Sequence, residues 1–194
     1  MRHCIAFTPK LTGSRIIRAI VLLAAIALPV SSTAKCHELL DFTATKLRSS
    51  ERIDFCEQFA EKAVLVVNTA SQCGYTPQFK GLEQLHKRYS ERLAIVGFPS
   101  NDFRQEHADS EKISDVCYVN YGVTFTMLEP SSVIGEAANT LFKKLAKRTG
   151  EQPDWNFNKY LISVDGSAVQ HFASKVEPTS DEFIVQLDKL LADP

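Results

Sequence analysis

Residues 63–78 read AVLVVNTASQCGYTPQ, and this stretch decides the fold class. It opens with a short apolar run, residues 63–67, that is rich in β-branched side chains and has a charged residue before it and an asparagine after it. This composition predicts a buried β-strand. Thr76 and Pro77 predict the start of a helix, with Thr76 as the N-cap and Pro77 at the first helical position. The stretch is therefore a strand, a loop and a helix start, and Cys73 lies in the loop.

The rest of the chain continues to alternate strands and helices. Residues 93–98 predict a second buried strand, and Asp165-Gly166 between two apolar segments predicts a hairpin. Further helices are predicted after Thr76, after Asp109-Ser110, at residues 137–145, and after a capping box at residues 179–182. Buried strands that alternate with helices indicate a parallel central sheet, to which the hairpin adds antiparallel pairing. The residues thus predict an α/β fold with a central mixed sheet flanked by helices.

Residues 1–34 differ from the rest of the chain. They contain four basic residues and no acidic one, then an apolar run at residues 19–30, then small residues that end in Ala34. The apolar run is shorter than the roughly 20 residues that a membrane-spanning helix needs. This order predicts a secretory signal peptide cleaved after Ala34, which leaves one domain at residues 35–194 in the periplasm or outside the cell. An uncleaved anchor or a buried helix remains the alternative.

Charge and composition narrow the partners that we expect. Loss of the four basic residues takes the formal net charge from −1 to −5, which argues against nucleic acid and anionic membranes as partners of the mature chain. The chain has no CxxC pair, and its five histidines are scattered without the spacing of a zinc site. We therefore expect no cofactor and no metal.

Cys73 has the placement of a reactive cysteine. A helix N-terminus carries unpaired N–H groups and a partial positive charge, and both favour the thiolate, which is the nucleophilic form. A dithiol exchange site would carry a second cysteine where Thr76 stands. A single thiol in such a loop suits peroxide reduction, in which the thiolate becomes a sulfenic acid that condenses with another thiol. From placement alone, a buried structural cysteine remains the alternative.

Four segments in order resemble the glutathione peroxidase family: residues 68–76, 98–106, 120–125 and 155–160. The resemblance covers about residues 37–191. It implies a thioredoxin-like fold and a thiol peroxidase that acts on hydrogen peroxide or organic hydroperoxides.

The resemblance also implies the residues of the site. The positions that match the family's catalytic set are Cys73, Gln105, Trp155 and Asn156. The two amides and the indole N–H are neutral hydrogen-bond donors, which can stabilise a thiolate and orient a peroxide without competing as nucleophiles. Without the resemblance, Trp155 would be read as a core residue and Gln105 and Asn156 as loop residues. The chain departs from the family's usual residues at three positions near Gln105, namely Ser100, Asp102 and Arg104.

Cys117 resembles the resolving cysteine of the two-cysteine, non-selenium members. That resemblance implies a Cys73–Cys117 disulfide and re-reduction by a thioredoxin-like dithiol protein or by glutathione. We expect Cys117 on a helix that starts near Ser110. Because a disulfide needs Cα atoms within about 7 Å, this helix is expected to unwind locally. An inert cysteine on the helix face is the alternative.

Cys36 and Cys56 are the other two cysteines of the mature chain. Four cysteines allow three pairings, and the residues alone do not choose among them. We expect a structural disulfide between Cys36 and Cys56 that joins the first strand to the loop before Ala63, with an extra redox role as the alternative. Family members that form tetramers carry an extra stretch before the segment that matches residues 155–160, so the resemblance implies that the short link at residues 146–154 gives a monomer with an open site.

Two other functions use the same residues differently. A peroxide sensor would pass its disulfide to a partner protein and would not turn over. A thioredoxin-like binding module would need none of the four matched side chains, so their joint presence argues against it.

Overall fold

The computed structural model describes residues 36–192, so the expected signal peptide at residues 1–34 lies outside the described residues. In chain order the described elements are β1 (Thr43–Thr45), β2 (Arg52–Asp54), α1 (Phe55–Phe59), β3 (Ala63–Thr69), α2 (Gln78–Tyr89), β4 (Leu93–Pro99), α3 (Ser110–Ser114), a π-helical turn (Asp115–Asn120), β5 (Thr126–Met127), α4 (Thr140–Thr149), β6 (Lys159–Ile162), β7 (Val169–Phe172) and α5 (Asp181–Ala192).

The central sheet has five strands in the order β5-β4-β3-β6-β7. Strands β3, β4 and β5 run parallel to one another, whereas β6 is antiparallel to β3 and β7 is antiparallel to β6. The predicted mixed sheet is therefore confirmed, and β6 and β7 form the predicted hairpin around Asp165-Gly166. Strands β1 and β2 form a separate two-stranded ribbon that the sequence pattern did not indicate.

Strand β3 lies at the centre of this sheet, and all seven of its residues are buried. Successive side chains of a strand point to opposite faces. Leu65 and Val67 accordingly pack in one apolar cluster with residues of α2 and α5, whereas Val64 and Val66 pack in a second cluster with residues of α4. The continuous apolar run at residues 63–67 reflects burial on both faces of the sheet.

Two element boundaries differ from the sequence-based expectation. Helix α2 begins at Gln78 with Pro77 as its N-cap residue, and no side chain caps it. Thr76 is instead used inside the preceding loop, where its hydroxyl bonds to backbone groups. Helix α4 begins at Thr140, because the side chain of Asn139 accepts a hydrogen bond from the Phe142 N–H at 3.0 Å and so caps the helix three residues later than predicted.

None of the helices between residues 36 and 192 is long and apolar enough to span a membrane.

Candidate active site

The sheet brings three loops to one edge. Parallel strands β3 and β4 end together, with Thr69 opposite Pro99 in the register, so the loops that carry Cys73 and Gln105 leave from the same edge. Strand β6 is antiparallel to β3, and its first residue, Lys159, lies opposite Val67. The segment before β6, which carries Trp155 and Asn156, therefore arrives at that edge as well. Residues distant in sequence converge here for topological reasons.

Cys73 lies in a tight turn between β3 and α2. Its side chain is buried, with 7% of the residue exposed, and it forms no disulfide. The Cys73 N–H donates to Thr76 Oγ1 at 3.0 Å, and the Thr76 hydroxyl lies 2.9 Å from the Ala70 carbonyl and 2.7 Å from the Cys73 carbonyl. The Tyr75 N–H donates to Cys73 Sγ at 3.4 Å. A backbone donor aimed at sulfur stabilises a negative charge there.

Gln105 and Asn156 are joined directly. Asn156 Nδ2 donates to Gln105 Oε1 at 2.9 Å, and the Gln72 N–H donates to the Gln105 carbonyl at 2.9 Å. The first bond joins two of the amides predicted for the site, and the second ties Gln105 to the residue before Cys73. Asn156 is fully buried, and its Oδ1 has no hydrogen-bond partner among the described residues.

Trp155 is the most exposed member of the predicted set, at 40%. It does not lie in the core. Its ring packs against that of Phe103, with centroids 5.4 Å apart. Its carbonyl accepts hydrogen bonds from Asn68 Nδ2 and Asn158 Nδ2, both at 2.9 Å. The indole and Tyr75 line a common cleft of about 450 Å³. The other lining residues are Asp154, Ala173, Ser174 and Lys175, so the cleft adjoins the predicted set through Trp155, and Cys73, Gln105 and Asn156 do not line it.

The backbone on either side of the two amides is unusual. Arg104, directly before Gln105, has φ of 58°, and Phe157, directly after Asn156, has φ of 63°. Non-glycine residues rarely adopt this left-handed conformation, and it occurs often at functional sites. Arg104 is one of the three positions that differ from the family's usual residues, and its backbone has a conformation that glycine adopts without strain.

Cys117 lies in the π-helical turn that continues α3. The sequence pattern predicted a helix here, and the structure adds that its hydrogen bonding changes to the wider i→i+5 form within that helix. Cys117 is 1% exposed, and burial raises the pKa of its thiol to about 12. Cys73 and Cys117 belong to the same apolar cluster, and both are free thiols. At neutral pH, Cys117 in this position is a protonated, weakly nucleophilic thiol.

Cys36 and Cys56 form a disulfide, with Cα atoms 5.6 Å apart. Its place differs in detail from the expectation, because Cys36 precedes β1 and Cys56 lies in α1 instead of in a loop. The side chain of Asp54 caps α1 and accepts a hydrogen bond from the Cys56 N–H at 2.9 Å. Cys36 packs against the α4-side cluster, on the face of the sheet opposite Cys73.

Several residues that support the site were not predicted. Asn68 and Asn158 bridge β3 to the loop of Trp155, and His171 Nε2 lies 2.6 Å from Asn158 Oδ1. Glu106 is a buried carboxylate beside Gln105, and burial raises its pKa. Lys159 is a buried amine whose pKa burial lowers to about 7. Asn68 and Asn158 are uncharged polar residues beside buried strand residues, within the segments 68–76 and 155–160, and this was the available signal for them. Glu106 and Lys159 carried no such signal.

The fold and the site together define a class of protein, an α/β protein of thioredoxin-like type with a buried free cysteine at one edge of its sheet. The glutathione peroxidase family model matches residues 39–146. A glutathione peroxidase of Lactococcus lactis is 41% identical over 157 residues, which cover 78% of this chain and 98% of the relative. A glutathione peroxidase-like peroxiredoxin of Chlamydomonas reinhardtii is 46% identical over 125 residues, covering 61% of this chain and 77% of the relative.

Among solved structures, that of Trgpx in its apo form superimposes with a TM-score of 0.63 at 30% identity, over 82% of this chain and 99% of that one. The chain belongs to the glutathione peroxidase family, and it is a peroxidase. The predicted α/β architecture of thioredoxin-like type is confirmed.

Proposed function

We propose that Cys73 reduces the peroxide, that Cys117 resolves the oxidised Cys73, and that a thioredoxin-like dithiol protein or glutathione restores both thiols. The proposed role of Cys73 is supported by a chain of hydrogen bonds at the sheet edge, which joins the Cys73 loop, Gln105 and Asn156. The Cys73 loop is bonded to Gln105, and Gln105 is bonded to Asn156, at 2.9 Å each. A Cys73 sulfur that accepts a hydrogen bond from the Tyr75 N–H, in a loop tied to two neutral amides, suits attack on a peroxide oxygen, since charge moves from sulfur to the leaving oxygen.

In the first step, the Cys73 thiolate attacks one peroxide oxygen and the O–O bond breaks. Sulfur is oxidised to a sulfenic acid, and the leaving oxygen takes up a proton to become water or an alcohol. The buried Asn156 Oδ1 can accept a hydrogen bond from the hydroperoxide O–H, and the N–H donors of Gln105 and Trp155 can stabilise the departing oxygen. This step needs no metal and no cofactor.

In the second step, Cys117 attacks the Cys73 sulfenic acid. A sulfur–sulfur bond forms, and the hydroxyl group leaves as water with the proton of the Cys117 thiol. Because burial keeps Cys117 protonated in the resting fold, the π-helical turn has to open before it reacts. A π-helical turn interrupts the regular bonding of a helix and frequently marks a functional site, which supports opening at this place.

The reductant is tested with three proteins, the wild type, Cys73→Ser and Cys117→Ser, each assayed with thioredoxin and with glutathione as electron donor. The proposal predicts turnover by the wild type with thioredoxin and no turnover by Cys73→Ser with either donor. Cys117→Ser should lose thioredoxin-driven turnover, because an isolated sulfenic acid offers no disulfide for exchange. Normal thioredoxin-driven turnover by Cys117→Ser would remove Cys117 from the mechanism.

The same assay separates a peroxidase cycle from signalling. A peroxide sensor would give a single oxidation and a stable mixed disulfide with its partner, even with reductant in excess. Sustained turnover by the wild type excludes that role as the only one.

We further propose that the mature chain works in the periplasm or outside the cell. The signal-like pattern of residues 1–34 supports this location. The Cys36–Cys56 disulfide also supports it, because such bonds persist in oxidising compartments. N-terminal sequencing of exported protein should find Lys35 as the first residue, and retention of residues 1–34 would contradict cleavage.

A further inference from the structure

Glu106 is a buried carboxyl group that the proposed mechanism does not use. Its residue is 7% exposed, and no lysine or arginine between residues 36 and 192 forms an ion pair with it. Burying a carboxylate without a cation is costly unless hydrogen bonds replace the lost water. Two backbone donors do so, since the N–H groups of Ser71 and His107 bond to Glu106 Oε1 at 3.1 and 2.8 Å.

These hydrogen bonds connect two parts of the active site. Ser71 lies two residues before Cys73, and Glu106 lies directly after Gln105. Ser71 N–H bonds to the Glu106 side chain, and the neighbouring Gln72 N–H bonds to the Gln105 carbonyl at 2.9 Å. Two adjacent residues of the Cys73 loop are therefore tied to two adjacent residues of the Gln105 loop.

The Gln105 loop is fixed at its other side as well. The Glu106 N–H donates to Asn101 Oδ1 at 3.2 Å, which closes the loop on itself. The Gln105 side chain then meets Asn156 at 2.9 Å. Without the bonds to Glu106 Oε1, the Cys73 loop and the Gln105 loop would share one backbone hydrogen bond and the contacts of their side chains.

We propose that Glu106 is a positioning residue, which acts through the Ser71 N–H to hold the Cys73 loop in register with Gln105. This inference rests on the proposed role of Cys73 and Gln105 in peroxide reduction. This positioning depends on the length of the Glu106 side chain and on the placement of its acceptor oxygen, and not on its charge. A displacement of about 1 Å between reacting groups can cost about 100-fold in rate, so loss of this contact should be visible in kinetics.

Two conservative variants separate geometry from charge. Glu106→Gln keeps the length of the side chain and an oxygen that can accept both backbone bonds, but it removes the charge. Glu106→Asp keeps the charge but is one methylene shorter, so it cannot reach both N–H groups from the same backbone position. Positioning predicts a peroxide rate constant near that of the wild type for Glu106→Gln and a loss of at least about 10-fold for Glu106→Asp.

The rate constant for the reaction of the reduced protein with hydrogen peroxide can be followed by stopped-flow fluorescence, because Trp155 is the single tryptophan of the chain. Alkylation of Cys73 by iodoacetamide in the same samples gives a second readout. Alkylation needs an accessible thiolate but not Gln105. A positioning role therefore lowers the peroxide rate of Glu106→Asp and leaves its alkylation rate within about 3-fold of the wild type.

Glu129→Ala is the matched control. Glu129 also fixes a loop by accepting a backbone bond, from the Arg48 N–H, and a hydroxyl bond from Ser110 at 2.7 Å, but it lies outside the site. It should leave the peroxide rate unchanged.

Three results would overturn the proposal. A loss in Glu106→Gln as large as that in Glu106→Asp would show that the reach and acceptor oxygen of the side chain do not suffice, and equal falls in the peroxide and alkylation rates of Glu106→Asp would show general damage. An unchanged rate in Glu106→Asp would show that the contact is dispensable. A wild type whose Cys73 is alkylated but does not react with peroxide would instead refute the proposed function.

Discussion

Three residues near the site have a backbone conformation or a burial that is energetically unfavourable for their residue type. Arg104 holds φ at 58° immediately before Gln105, and Phe157 holds φ at 63° immediately after Asn156. Lys159 is fully buried just beyond Asn158. Such residues persist only where the surrounding structure determines their conformation. Arg104 and Phe157 are next in sequence to the two amides, so the backbone on one side of each amide is held in a conformation that non-glycine residues rarely adopt.

Replacement of Arg104 by glycine should stabilise the protein. An L-residue in the left-handed region costs about 1–2 kcal/mol, of which the greater freedom of unfolded glycine offsets a part. We expect Arg104→Gly to raise the free energy of unfolding by up to about 1 kcal/mol in urea titrations. Lys143→Gly, on the exposed face of α4, is the control and should lose about 1 kcal/mol. A similar fall in the free energy of unfolding of Arg104→Gly would contradict the inference that Arg104 is strained.

Lys159 should make stability depend on pH near neutrality. Its Nζ donates to the Val176 carbonyl at 2.6 Å and to the Ser174 carbonyl at 3.3 Å, and burial lowers its pKa from 10.5 to about 7. Between these two pKa values, the unfolded chain binds a proton that the folded chain has released. The free energy of unfolding therefore gains from this group as pH rises above 7, and the gain is absent at lower pH, where both states are protonated.

The measurement is urea unfolding of the wild type and Lys159→Met between about pH 7 and 9. The wild type should show the more positive slope, by as much as one proton or about 1.4 kcal/mol per pH unit. Parallel pH dependences in the two proteins would contradict a buried amine with a lowered pKa.

At the scale of elements, strong apolar patterns were predictable and irregular features were not. Strands β3 and β4, helix α2 and the β6–β7 hairpin follow from apolar runs, helix spacing and the Asp165-Gly166 turn. The β1–β2 ribbon was missed, because strands of three residues with mixed burial leave no period to detect. The π-helical turn was also missed as such, since no residue pattern separates i→i+5 from i→i+4 bonding.

The predictions for Gln105, Trp155 and Asn156 depended on resemblance, because alone the two amides are ordinary loop residues and a single tryptophan is more often a core residue. Cys73 was also indicated by its placement before a helix start. The topology then explains why three loops meet. Glu106 and Lys159 could not be predicted as buried, since charged residues are rarely buried without a partner and nothing local marks these two.

The disulfide between Cys36 and α1 is an element-scale restraint. It closes a 20-residue separation, which in the chain-entropy relation corresponds to about 3 kcal/mol. We expect the double variant Cys36→Ser/Cys56→Ser to lose about that much in urea unfolding, and its peroxide rate constant to be unchanged, because the bond lies on the opposite face of the sheet from Cys73. Wild type whose Cys36–Cys56 disulfide has been reduced with dithiothreitol is the control, and it should lose a similar free energy of unfolding without any substitution. A fall in the peroxide rate would reveal a redox role for this pair.

At the scale of the whole molecule, the sheet separates two kinds of cysteine. The free thiols Cys73 and Cys117 belong to the apolar cluster that includes residues of α2 and α5. Cys36 packs against the other cluster, which includes residues of α4. The Cys36–Cys56 disulfide and the proposed redox pair Cys73 and Cys117 thus lie on opposite faces of the sheet, which separates them from exchange with each other. The link between α4 and β6 is short, and we expect the mature chain to be a monomer, which light scattering of residues 35–194 will test against a dimer.

The most direct test of the account is peptide mapping of Cys117→Ser after one equivalent of hydrogen peroxide, with a dimedone-type reagent that traps sulfenic acid. The account predicts trapped sulfenic acid at Cys73, an intact Cys36–Cys56 disulfide, and, in the wild type, a Cys73–Cys117 disulfide in place of the trapped product. Peroxide consumption without modification of Cys73, or a wild-type disulfide that joins Cys73 to another cysteine, would contradict it.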